Sequence, residues 1–171
     1  LIAVIAKQVP ENINTFLLTS KTNADEIIIQ HMKCKTTHIQ LVDSVEIDVY
    51  NKMKDELPSV KITQVIHVTG EESISEAVSV SSFVDLILLD SGNQKLSVKE
   101  LGGTGRPHDW SISKKIVESV NIPVFLAGGL NSSNVSAAIN EVNPFGVDLC
   151  SGVRINGKLD EGLLREFFSK L

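Results

Sequence analysis

Val84-Asp-Leu-Ile-Leu-Leu-Asp-Ser-Gly92 decides the fold of this chain. An unbroken run from Leu86 to Leu89 is too short for a helix and too apolar for a strand with one wet face. It fits a strand covered on both sides, as in a parallel sheet. The run ends on a carboxylate, Asp90, followed by a Ser-Gly turn. Similar runs, rich in Val, Ile and Leu, occupy residues 15–20, 37–43, 61–68, 123–127 and 146–150. Helical patterns fill residues 24–33, 47–57, 73–80, 111–120, 131–141 and 160–170. Strict alternation of strand and helix predicts an α/β fold of βα repeats with about six parallel strands. Successive strands start 22, 24, 23, 39 and 23 residues apart, so one unit of about 23 residues recurs. Only the fourth unit is stretched, by the loop after Asp90, and a long loop in a compact repeat is usually functional.

Helix starts agree with this register. Thr22 or Asn23 can cap the second helix, Asp109 or Ser111 the helix of Ile116, and Asn131 the helix that follows Gly128-Gly129. The chain opens on Leu1-Ile-Ala-Val-Ile-Ala-Lys7, a helical pattern without a capping residue. A closed barrel of βα units has eight strands and at least roughly 200 residues. We therefore expect residues 1–171 to form a single barrel domain that is incomplete at its N-terminus, an initial β-α-β segment having been cleaved, deleted or omitted.

Composition bounds the partners. The 171 residues carry 16 Lys and Arg against 21 Asp and Glu, a net charge of −5, with no basic run. Nucleic acid is not an expected partner. No apolar stretch is long enough to span a bilayer, so no membrane partner is expected either. Cys34 and Cys150 have no metal-ligand spacing and no disulfide framework surrounds them, which suits a reducing, cytoplasmic setting.

Three segments could carry chemistry, and each follows a strand, at the end of a parallel sheet where ligands bind. Asp90 closes its strand in apolar surroundings, which help a carboxyl keep its proton and serve as a general acid. A capping role is the plainer alternative. Gly102-Gly103-Thr104-Gly105 lies in the long loop and suits a lid that closes over a ligand. Gly128-Gly129 and Ser151-Gly152 follow the last two strands, where consecutive backbone N–H groups can hold an anion such as phosphate. Two tight turns that simply need glycine are the alternative. Cys150 reads as a small buried hydrophobe, Cys34 as structural, and Trp110 as packing at the base of its helix. His31, His38, His67 and His108 are scattered without metal spacing; His67 ends a strand and could face the site, His108 lies in the long loop, and a structural or solvent role is the plainer reading of each. Arg154 could reach an anion or lie on the surface.

Over nearly its whole length, densely from Val84 to Phe168 and thinly before residue 60, the chain resembles the phosphoribosylanthranilate isomerase family of tryptophan biosynthesis. The resemblance rests on Leu88-Leu-Asp-Ser, Gly102-Gly-Thr-Gly, Asp109-Trp, Leu126-Ala-Gly-Gly-Leu-Asn, Asn134-Val, Pro144-Phe-Gly-Val-Asp and Ser151-Gly-Val, in that order. It implies a (β/α)8 TIM barrel that works without metal or organic cofactor, as a monomer or homodimer, on a small phosphosugar. It also implies that Asp90 is the general acid and that Gly128, Gly129, Ser151 and Gly152 bind phosphate. The family's general base is a cysteine in a Lys-Ile-Cys-Gly segment, which this sequence lacks. An arginine of the family, after its second strand, is also unmatched. Val42-Asp43 stands where relatives commonly have His-Gly. The resemblance thus implies an isomerase whose base lies outside these residues, so that the 171 residues alone are inactive. The alternative is a divergent or non-catalytic relative that binds a phosphosugar.

Overall fold

A computed structural model describes residues 1–92 and 108–171. The proposed lid, Gly102-Gly103-Thr104-Gly105, lies outside the described residues. Six parallel strands form one sheet in sequence order: β1 (Phe16–Thr19), β2 (His38–Leu41), β3 (Lys61–His67), β4 (Leu86–Asp90), β5 (Val124–Leu126) and β6 (Gly146–Val147). Helices α1 (Ile2–Ala6), α2 (Ala24–Cys34), α3 (Ile47–Glu56), α4 (Glu72–Val80), α5 (Trp110–Ser119), α6 (Val135–Val142) and α7 (Glu161–Phe168) alternate with them. β1 and β6 are the two edges and do not pair with each other.

Side chains alternate across each strand, and the two faces differ. One face sends Ile39, Leu41, Ile62, Ile66, Ile87, Leu89, Val124 and Leu126 into a core shared with Ile27, Tyr50, Ala77, Ile116 and Ala138 of the helices. The other carries Val65, Leu88 and Ala127, with Val42 and Phe125 packed on them, and no helix residue joins this cluster. Helices thus cover one face only, as in a barrel wall, while the inner face opens on a groove of about 220 Å³.

Polar residues on the covered face are tied down. Gln64 donates through Nε2 to the carbonyls of Leu41, Asp43 and Val65 at 3.3, 3.2 and 3.0 Å. Its Oε1 accepts from the Tyr50 hydroxyl at 2.7 Å. Burial, aided by the Glu76 carboxylate, pushes the Tyr50 phenol up to about 12, so it stays a donor. Tyr50→Phe leaves a buried acceptor unpaired and costs about 1–3 kcal/mol. Thermal unfolding then falls by about 2–4 °C per kcal/mol. An unchanged Tm means that this bond contributes nothing.

The structure corrects several boundaries. β2 stops at Leu41 and β6 at Val147, short of the expected 43 and 150. Residues 151–153 form a 3₁₀ turn instead of continuing from a strand. Asn23 caps α2 by accepting from Glu26 N–H at 3.2 Å, and Asp109 caps α5 by accepting from Ser111 N–H at 2.9 Å. Asn131 does not cap α6. Its side chain accepts from Ser133 N–H in a turn before the helix, which begins after Asn134. A hairpin of β7 (Arg154–Ile155) and β8 (Lys158–Leu159) was not expected. Its turn is Asn156-Gly157 with φ of 51° and 77°, the left-handed pair that two-residue hairpins favour.

Candidate active site

The inner face and the carboxyl ends of the strands meet at Asp90. Register places His67 of β3 directly beside it, and parallel pairing points the two side chains the same way. The Asp90 carboxylate accepts from Ser91 N–H through Oδ1 at 2.7 Å, and its backbone carbonyl accepts from Val68 N–H at 2.9 Å. Asp90 is half-buried, its backbone fixed and its second carboxylate oxygen outside the Ser91 bond.

Beyond β5 the chain turns sharply at Gly128 and Gly129, with φ of 86° and 64°. Only glycine adopts such angles without strain. Gly128 has a second reason to lack a side chain. A Cβ there would stand 3.1 Å from His108 Nδ1 and 3.1 Å from Ser91 Cβ and backbone N. Asn131 and Asn134 both donate to the Gly129 carbonyl, at 3.3 and 3.0 Å, which anchors the turn. Among the described residues, no hydrogen bond from the Gly128 or Gly129 N–H occurs. The turn at residues 151–153 packs on this one so closely that a Cβ on Gly152 would meet the Leu130 carbonyl oxygen. The two turns that carry the four proposed anion-binding residues therefore pack together at Leu130, and the Asp90–Ser91 strand end lies against Gly128.

Two residues join the site that sequence reasoning passed over. Asp148 follows β6 on the inner face and is held by its N–H to the Leu126 carbonyl at 2.8 Å. It is open to solvent on one side, yet the groove crowds it. Desolvation, with the nearby charge of Asp90 second, pushes its carboxyl above the usual aspartate value. The second is His108. Its Nε2 lies 2.6 Å from Ser113 Oγ, and burial lowers the ring to about 4 against the opposing pull of Asp90 and Asp109. The structure also draws His67 to the site: it is 6% exposed, and its Nε2 meets the Val42 carbonyl at 3.0 Å.

The remaining candidates lie elsewhere or play plainer parts. His31 meets the Thr36 carbonyl at 2.7 Å and His38 stacks on Phe16 at 4.3 Å, both at the amino end of β2. Cys34 is buried at the end of α2. Cys150, expected to be buried, is exposed, because the chain leaves the sheet three residues earlier than anticipated. Arg154 donates to the Gly157 carbonyl at 3.0 Å and closes the hairpin, while Trp110 packs on the core as expected. Among the described residues, no group of three or more His, Cys, Asp or Glu side chains could hold a metal ion, and no helix is long and apolar enough to cross a membrane.

An in-order parallel sheet with helices outside, and a carboxylate and paired glycine turns at its carboxyl end, defines a TIM-barrel-type domain. Residues 5–170 match the model of the N-(5'-phosphoribosyl)anthranilate (PRA) isomerase family. The chain is 39% identical over 158 residues to N-(5'-phosphoribosyl)anthranilate isomerase 2 of Methanosarcina mazei, spanning 92% of this chain and 69% of that one. It is 33% identical over 169 residues to the isomerase of Methanocella arvoryzae, spanning 98% and 77%. Among solved structures it resembles the isomerase of Thermococcus kodakaraensis, with a TM-score of 0.78 and 30% identity over 99% of this chain and 78% of that one. The Thermotoga maritima isomerase gives a TM-score of 0.81 and 25% identity over the same shares. This chain belongs to the phosphoribosylanthranilate isomerase family.

Proposed function

We propose that the chain serves the isomerase reaction of its relatives, an Amadori rearrangement of N-(5'-phosphoribosyl)anthranilate in tryptophan biosynthesis, and supplies its general acid and phosphate site. The observation that carries this reading is the meeting of Asp90 with the two glycine turns at one end of the sheet. The rearrangement needs two proton transfers. The Asp90 carboxylic acid protonates the ribose ring oxygen, which opens the ring to an iminium. A base then takes the proton from the adjacent sugar carbon, and the resulting enolamine becomes the aminoketose. Gly128, Gly129, Ser151 and Gly152 hold the phosphate through backbone N–H groups, fixing the sugar so that its ring oxygen faces Asp90.

The base of the relatives has no counterpart in the sequence, since no Lys-Ile-Cys-Gly segment occurs. In this reading the base is not among residues 1–171, and these residues alone do not turn over substrate. The setting is the cytoplasm, where two free cysteines stay reduced. Loss of the fluorescent anthranilate substrate measures turnover. Robust turnover by the 171-residue chain would place the base within it, and Cys150 would be the first residue to replace.

The phosphate site is tested apart from chemistry. Gly129→Val puts a β-branched side chain at a φ of 64°, which strains the turn by about 1–3 kcal/mol and fills it. KM rises by at least about tenfold, since one lost hydrogen bond to a charged group costs that much or more. Crystals soaked in sulfate, with density elsewhere and none at this turn, would count against the assignment.

A further inference from the structure

The buried side-chain atoms that lack a hydrogen-bond partner include His108 Nδ1. A buried polar group left alone in a folded protein calls for an explanation. The ring has little freedom. Ser113, fully buried on α5, holds Nε2 at 2.6 Å. The opposite edge of the ring is set against the glycine turn, with Nδ1 3.1 Å from where a Cβ on Gly128 would stand. With its proton affinity lowered to about 4, the imidazole is neutral near pH 7 and carries one N–H. If the Ser113 hydroxyl donates to Nε2, the ring proton sits on Nδ1. The result is a donor without an acceptor, beside a turn whose own N–H groups also have no acceptor among the described residues.

We propose that His108 is a ligand of the anion held by the Gly128–Gly129 turn, its Nδ1–H donating to a phosphate oxygen. The inference rests on the phosphate assignment above. Arg154 is already engaged with the Gly157 carbonyl, and the chain as a whole is acidic. A neutral donor fits such a site, because it needs no buried positive charge while the site is empty. It also accounts for Gly128, where any side chain would stand between the imidazole and the turn.

The test uses the intact protein, with inorganic phosphate as the calorimetric ligand and substrate KM measured in parallel. His108→Phe keeps the ring's shape and removes the donor. His108→Asn keeps an N–H close to the position of Nδ1. Phosphate affinity falls about 10- to 100-fold in His108→Phe, the usual effect of losing a hydrogen bond to a charged acceptor. KM rises accordingly and far more than kcat falls, while His108→Asn stays within about fivefold of wild type. Equal losses in both variants would reduce His108 to packing and overturn the proposal. Wild-type affinity in His108→Phe, with binding abolished in Gly129→Val, would also overturn it while leaving the phosphate site standing. Wild-type affinity in both His108→Phe and Gly129→Val would remove the phosphate site and this inference together.

Discussion

Replacing Asp90 with asparagine lowers kcat by about 10²- to 10⁴-fold, the usual contribution of general acid catalysis, and leaves KM within a few-fold of wild type. The two side chains are nearly the same size. The asparagine carbonyl oxygen can still accept from Ser91 N–H, the bond that fixes the carboxylate at 2.7 Å. The parallel register with β3 depends on the backbone and is untouched. What disappears is the acidic proton destined for the ring oxygen, so the loss falls on turnover and spares binding. The measurement is steady-state decay of substrate fluorescence in the intact enzyme. Near-wild-type turnover would remove Asp90 from the role. Asp148 would then be the alternative, since its carboxyl already holds its proton more tightly than usual.

Gly152→Ala separates the two halves of the anion site. The added methyl meets the Leu130 carbonyl oxygen and lies 3.0 Å from Leu130 C and 3.1 Å from Asn131 Cβ. Two of these are backbone atoms, so no rotamer change relieves the contact, and the turns must move apart. Overpacking of this kind costs about 1–3 kcal/mol. The melting temperature falls by about 2–4 °C for each of them. Substrate KM rises at least about tenfold as the N–H groups lose their common focus, a loss comparable to one charged hydrogen bond. Gly157→Ala is the control. It stands in the hairpin turn with φ of 77° and nothing within 4 Å, so it costs stability through strain and leaves KM alone. An equal rise in KM for both variants would mean that loss of stability, not the spacing of the turns, weakens binding.

The alternation of strand and helix was legible because β3 and β4 are buried on both faces and leave continuous apolar runs in the sequence. Strand ends were not. Val42-Asp43 and Leu149-Cys150 continue the apolar pattern, but β2 ends at Leu41, and β6 is an edge strand with pairing on one side only. Asp90 and the glycine turns were legible since each ends a strand, where chain direction alone decides which end of the sheet is reached. His67 was legible only as a strand-end residue that could face the site, and His108 was not, because register and tertiary packing place them. Asp148 did leave a signal, as a carboxylate closing an apolar run just as Asp90 does. The hairpin was announced by Asn156-Gly157, a strong short-range turn signal that the βα period overshadowed.

The order of the sheet, each strand paired only with its neighbours in the chain, also sets an order of construction. Every parallel pair closes over a single crossover, and only the one from β4 to β5 is long, so a nascent chain can add one unit at a time to an edge that already exists. Asp90 is seated once β3 and β4 have joined. The anion pocket cannot be finished until residues 151–153 emerge and settle against residues 128–131. On the proposed reading the acid is thus in place before the phosphate turns, and a chain cut short after β5 would keep the first and lack the second.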